Sequence, residues 1–233
     1  MTWSMLQQES TRGTGPPQIL EQGTPMSEVR SGIRHLLANP WPYNLFQHLV
    51  GAYRWRRKVV EDLLLPALTP DATVVDIGCG TGEILQYLPA QTGYVGFDRN
   101  PDYIAEASRR FRGRKAVFRC EELTPDYRPR DELADHALAF GLLHHLDDGS
   151  ATALFRAARR VLKPGGSLIT LDPVYTSAQS RSARYVVSKD RGTEVRTEDA
   201  YRELAQSSFQ RVEVFMDLSP LRIPYTGIVM RCT

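Results

Sequence analysis

"VVDIGCGTGEILQYLPAQTGYVGFDRN", Val74 to Asn100, is the stretch on which the fold turns. An apolar run leads into glycines at alternate positions, Gly78, Gly80 and Gly82. A short helical segment stopped by Pro89 follows, then a second apolar run that ends at Asp98. A glycine loop between a buried strand and a helix lets a ligand reach the backbone at the C-terminal edge of a sheet. Neither common phosphate-binding pattern is present. The dinucleotide fingerprint G-x-G-x-x-G puts glycine where this chain has Glu83, and no Lys-Ser/Thr pair ends the loop as in a Walker motif. Asp76 and Glu83 flank the glycines, and at short range they would repel a bound phosphate at an effective cost of roughly a few kcal/mol. The loop therefore suits a ligand that is cationic or zwitterionic near the glycines. Asp98 is placed to accept hydrogen bonds from ribose hydroxyls. A positively charged nucleoside without phosphates is the expected ligand.

Outward from this stretch, strand-like and helix-like segments alternate. Thr73–Ile77, Tyr94–Phe97, Ala116–Arg119, Asp135–Phe140 and Ser167–Leu171 read as strands. Glu83–Leu88, Asp102–Phe111 behind Pro101, and Ser150–Leu162 before "KPGG" read as helices. That order implies a parallel sheet covered on both faces. Thr197 can cap a helix running to about Ser207. The closing strands Arg211–Phe215 and Gly227–Arg231, joined by a Pro-bearing loop, are expected to pair antiparallel at the sheet edge.

Three parts are expected along the chain. Residues 1–27, rich in Gly, Pro, Thr, Gln and Ser, read as a flexible arm. Residues 28–70 form a helical lid, with apolar residues Leu45, Leu49, Val59 and Leu63 at helical intervals. Residues 71–233 form the sheet domain, with a substrate-covering insertion at about 173–196. A chain of 233 residues fits one core. A formal net charge of +2 gives no reason to expect a nucleic-acid partner. Three cysteines, none in a C-x-x-C pair, argue against a disulfide framework or a zinc site and for a reducing compartment. No apolar run approaches the ~18 residues of a membrane span, and the basic-then-apolar order of a signal peptide is absent. Cytoplasm is the expected location; no expectation attaches to oligomeric state.

S-adenosyl-L-methionine combines an adenosine, a sulfonium and an amino-acid head, as the loop requires. "VVDIGCGTG", "GFDRN", "LAFGLLHHLDD" and "RRVLKPGGSLITLDP" together resemble the class I S-adenosylmethionine-dependent methyltransferases over about Thr73 to Asp172. The resemblance implies an α/β, Rossmann-like, doubly wound, seven-stranded sheet, mostly parallel with an antiparallel C-terminal strand, preceded by an N-terminal helical lid. It implies that Asp76, Gly78, Cys79, Gly80 and Gly82 line the methionine portion of the cofactor. Asp98 would bind the ribose, Arg99 would lie along the adenine, and Glu121 or Glu122 would face its amino group. Phe140, Gly141 and Leu142 would pack near the adenosine and sulfonium, and Tyr43 or Gln47 of the lid would reach the cofactor.

The sulfonium is already an activated methyl donor, so the protein must hold a nucleophile in line, exclude water and, where needed, remove a proton. His144 and His145 lie just past the fourth strand, where the methyl should sit; either could deprotonate a hydroxyl, with His145 preferred. Asp172 and Tyr175 close the fifth strand at the same edge. Asp147, Asp148 and Asp172 could supply oxygen ligands, but no pattern assembles them and no metal is expected. Arg181, Arg184, Lys189 and Arg191 in the insertion would meet a carboxylate or phosphate on a substrate. Trp41 and Trp55 are candidates for an aromatic substrate pocket. The expected function is methyl transfer to a small-molecule nucleophile. The alternatives are use of the cofactor or its adduct for chemistry such as cyclisation, and RNA methylation.

Overall fold

The computed structural model describes residues 52–128, 133–188, 192–216 and 224–233. The expected arm, most of the lid, Trp41, Tyr43, Gln47, Lys189 and Arg191 lie outside them. Eight strands form the sheet: β1 Thr73–Ile77, β2 Gly93–Phe97, β3 Ala116–Arg119, β4 Ala134–Phe140, β5 Leu162–Tyr175, β6 Arg196–Thr197, β7 Val212–Phe215 and β8 Gly227–Cys232. The order along the sheet is β3-β2-β1-β4-β5-β8-β7, with β6 paired to β5 off that path. Strands β1 to β5 run parallel to one another, and β8 runs antiparallel to both β5 and β7. The expected doubly wound sheet with an antiparallel C-terminal strand is what forms. The order reverses between β1 and β4, and a ligand crevice opens at such a switch point.

Helix α1, Ala52–Val59, continues through a π turn, Val60–Leu64, and a 3-10 turn, Leu65–Ala67. Helix α2 spans Pro101–Arg110, α3 Asp148–Val161, α4 Arg181–Val187 and α5 Glu198–Gln206. Each of α2 to α5 starts at a side-chain cap: Asn100, Asp147, Ser180 and Thr197 accept from backbone N–H groups of the first turn. Two cores follow from the two-residue period of the strands. Val75, Ile77, Ala137 and Leu168 face Leu154, Phe155 and Val161 of α3 and Tyr201 of α5. Val74, Tyr94, Leu138 and Ile169 face Trp55 and Val59 of α1 and Ile104 of α2. Trp55 is thus a core residue: a Cβ at Gly227 would fall 1.6 Å from its indole, and its ring meets Tyr225 edge-on.

Three local features differ from expectation. The segment after the glycine loop is a 3-10 helix, Glu83–Tyr87, because Gly82 enters it left-handed and Pro89 stops it within a turn and a half. Strand β5 begins at Leu162, where "KPGG" shifts its register against β4, and runs on to Tyr175. Its extension is held by β8 up to the Pro173–Gly227 pair and by β6 at Val174 and Tyr175. The two-residue β6 carries too little pattern to read from sequence.

Gly96, in the middle of β2, leaves room for the first turn. A Cβ there would lie 2.7 Å from Cys79 Sγ and 3.0 Å from Phe118. Gly96→Ala is expected to lower stability by about 1–3 kcal/mol through overpacking. Cys79→Gly in the same chain should recover part of the loss. Denaturant unfolding of the single and double variants checks this.

Candidate active site

The glycine loop folds back on the end of β2. Gly78 and Cys79 donate their N–H groups to the Phe97 carbonyl at 2.8 and 2.9 Å. Gly80 donates to Asp98 Oδ2 at 2.9 Å, and Asn100 donates to Asp98 Oδ1 at 2.8 Å. Each Asp98 oxygen keeps acceptor capacity for a further donor such as a ribose hydroxyl. Gly78, Gly80 and Gly82 all have positive φ, at 74°, 54° and 72°. Among the described residues, a Cβ at Gly80 would meet nothing within 4 Å. Cys79 is buried with its Sγ against Gly96, and burial pushes its thiol far up. It fills space.

Behind the loop, Asp76 is buried and accepts a hydrogen bond from the Tyr94 hydroxyl at 2.5 Å. Burial pushes its carboxyl up to about 7 against the pull of Tyr94 and of the Arg56 charge. Glu83, also buried, pairs with Arg56 at 3.0 Å and accepts from the Tyr87 hydroxyl at 3.1 Å. The Arg56 guanidinium lies near Gly141 as well, 3.5 Å from where a Cβ would stand. A cation from α1 thus bridges the glycine loop and the end of β4. Arg56 and Tyr94 are site residues that sequence reasoning missed. Arg56 sits in "RWRRK", which is indistinguishable by pattern from a solvated basic face, and Tyr94 reads as an ordinary strand aromatic.

On the other wall, Phe140 is buried and Gly141, at φ 69°, donates its N–H to the Leu171 carbonyl. Leu142 lies over Gly78, 3.1 Å from a Cβ built there. At the rim, Arg99 pairs with Glu122 at 3.6 Å and Arg119 with Glu121 at 3.9 Å, all beside the ends of β2 and β3. The candidate methionine-side and ribose-side residues therefore converge, and the adenine-side candidates form an exposed border.

His144 and His145 occupy a 3-10 turn, Leu143–His145, with ring centroids 4.1 Å apart. His144 is buried; its backbone N–H and its ring Nδ1 both reach Asp172 Oδ1, at 3.2 and 2.8 Å. That contact places the proton on Nδ1 when Asp172 is ionised. Burial raises the Asp172 carboxyl, and the His144 contacts oppose the rise. His145 is half-buried. The three candidate oxygen donors have separate partners: Asp172 holds His144, Asp147 caps α3, and Asp148 pairs with Arg196.

Arg196 is the third residue that sequence reasoning missed. Buried at β6, it donates to the carbonyls of Leu143 and Leu146 at 3.0 and 2.7 Å, to that of Glu194 at 2.9 Å, and to Asp148 at 2.8 Å. Glu194 N–H in turn donates to the His144 carbonyl at 3.0 Å. Gly192 lies so close that a Cβ there would be 2.1 Å from His144 Cδ2. Residues 192–196 and the histidine turn pack against each other. The only sequence signal was an arginine just before the Thr197 cap. Tyr175, beyond Asp172 on β5, lies under the Arg184 guanidinium, 5.1 Å from ring centroid to Cζ.

Residues 74–166 match the family model for a methyltransferase domain. Over that span the chain is similar to methyltransferase domains, and its fold is shared with solved S-adenosylmethionine-dependent methyltransferases. An uncharacterized methyltransferase of Synechocystis sp. is 29% identical over 140 residues, covering 57% of this chain and 63% of the relative. Trans-aconitate 2-methyltransferase of Methylobacterium nodulans is 36% identical over 133 residues, 54% of this chain and 48% of that protein. The structure of human N-acetylserotonin methyltransferase in complex with SAM shares the fold, with TM-score 0.62 at 18% identity over 90% of this chain and 60% of that one. The chain spans between 25% and 63% of the lengths of the curated relatives it matches. The methyltransferase domain ends its matched region just before the main run of β5, so Arg196 and α4 lie outside it.

Removing the Arg196 side chain strands two turn carbonyls and loosens the histidine turn. Arg196→Met is expected to cost about 2–4 kcal/mol of stability and to broaden the His144 and His145 ring signals. Denaturant unfolding and histidine-resolved NMR check both effects.

Proposed function

We propose that this protein binds S-adenosylmethionine in the crevice between β1 and β4 and transfers its methyl group to a small-molecule nucleophile. The observation that carries the reading is the buried Asp76 carboxylate behind the glycine loop, with Arg56 beside it. A buried acid pushed up to about 7 is stabilised in its charged form by an incoming cation. An amino-acid head offers that cation together with a carboxylate for Arg56. Asp98, held by Gly80 and Asn100, is already oriented to receive ribose hydroxyls. Arg99, Glu121 and Glu122 border the adenine end.

When bound, the cofactor supplies a methyl carbon on a sulfonium, an electrophile that needs no further activation. The protein's part is to orient the acceptor and exclude water. Leu142 and Phe140 provide the apolar wall. Where the acceptor is a hydroxyl, His145, the more open of the two histidines, takes its proton. His144, fixed by Asp172, holds the turn and is assigned a positioning role. Relatives named for trans-aconitate and for a 2-methyl-6-phytyl-1,4-hydroquinone support a small-molecule acceptor.

Incubation with methyl-labelled S-adenosylmethionine and pools of small acceptors tests the reading. Label in a small product supports it. Label in RNA, or cofactor consumed without methyl transfer, overturns it. The pH dependence of cofactor binding gives a second check. A bound cation lowers the Asp76 pKa from about 7, so binding releases a proton at and below that pH. Affinity should rise by up to about tenfold per pH unit as pH approaches 7 from below, and level off above it. Calorimetry in buffers of different ionisation enthalpy should show about half a proton released per complex at pH 7 and nearly one at pH 6. Without ligand, Asp76 makes its full contribution to stability below its ordinary value of 3.8 and loses it as pH rises through about 7.

A further inference from the structure

A second opening stands where β5 runs beyond the rest of the sheet. Tyr175 at the end of the strand, Arg181, Arg184 and Tyr185 of α4, and Ser188 line an open cleft of about 470 Å3. That volume is within the roughly 300–1,000 Å3 of small-molecule sites. Arg181 and Arg184 are three residues apart on one helix and share a face. The helix backbone is fixed: Ala183 and Val187 are buried, and Ser180 caps the first turn. The Arg184 guanidinium lies over the Tyr175 ring at 5.1 Å from the centroid. A guanidinium laid on an aromatic face loses little by it, and its in-plane N–H edge stays available for a two-point bond to a carboxylate.

Several arginines have acidic partners: Arg56 with Glu83, Arg109 with Glu106, Arg196 with Asp148, Arg202 with Glu198 and Arg211 with Glu213. Among the described residues no carboxylate pairs with Arg181 or Arg184, although both line the same cleft. Two like charges held close repel each other, and an anion between them relieves that repulsion. Tyr175 and Tyr185 add two aromatic walls, and Tyr185 is 64% exposed. Asp172 and Tyr175 both lie at the C-terminal end of β5, the sheet edge at which the crevice opens, on the order of 10 Å apart along the strand.

We infer that this cleft recognises the methyl acceptor, and that the acceptor is a small aromatic acid whose carboxylate is held by Arg181 and Arg184 while its ring lies against the tyrosines. The inference rests on the methyl-transfer reading and names the substrate class for it. Tyr175 then serves in recognition.

The test uses the full chain saturated with S-adenosylhomocysteine, titrated with 4-hydroxybenzoate and 4-hydroxycinnamate and, in parallel, with the corresponding uncharged amides. Ligand-observed NMR reads the affinities, and calorimetry reads cofactor binding on the same samples. At least one acid is expected to bind about tenfold or more tightly than its amide. Arg181→Ala and Arg184→Ala should each weaken that acid about tenfold, leaving the amides and the cofactor unchanged. Arg184→Lys should recover only part of the loss, since lysine keeps the charge without the planar fork. Acids that bind no better than their amides, or acid affinity unmoved in the double alanine variant, overturn the inference. If the cofactor binds while the acids fail, only this inference falls. If the cofactor itself does not bind, the methyl-transfer reading falls with it.

Discussion

The burial of one carboxylate behind the glycine loop is the constraint on which the rest of the site depends. Asp76 is the penultimate residue of β1, and the Tyr94 hydroxyl donates to it at 2.5 Å. Burial lifts its pKa to about 7, close to the pH at which the protein would work. A carboxylate in that state discriminates sharply by charge: a cation stabilises it, and a phosphate would have to be accommodated against it. Arg56 reduces the conflict with Glu83 by pairing with it, so the field at the loop is a balance of Asp76, Glu83 and one guanidinium. A zwitterion meets such a balance better than an anion does.

A second constraint operates on the acceptor side. The turn that carries His144 and His145 has little structure of its own, a single 3-10 turn between two loops. Its position is set from outside, by Asp172 on β5 and by Arg196 on β6. Because β6 also pairs with the extension of β5, the strand that ends in Tyr175 links the histidine turn to the cleft under α4. The candidate base and the surface proposed to hold the acceptor are thereby joined through a few residues of backbone. Gly192, with no room for a side chain against His144, belongs to the same arrangement.

Much of the glycine-loop geometry was legible in the chain because local chemistry fixes it. Glycines needed at positive φ, an aspartate at the end of each of two apolar runs, and strand–helix alternation all register within a few residues. The cap at Thr197 could be read for the same reason. Arg56, Tyr94 and Arg196 could not. Each acts on partners 18 to 53 residues away, and nothing local distinguishes Arg56 in "RWRRK" from an exposed arginine. The choice between the two histidines was closed to sequence too, since adjacent identical residues differ only in what the fold puts beside them.

The sequence by itself determined the class of the sheet and the position of the loop, because backbone conformation and strand periodicity are short-range properties. Tertiary structure decided which histidine is locked, which arginines meet acidic partners and which line a cleft. Those outcomes depend on long-range packing and burial, and a charge has no fixed chemical meaning until its neighbours and its exposure to water are set.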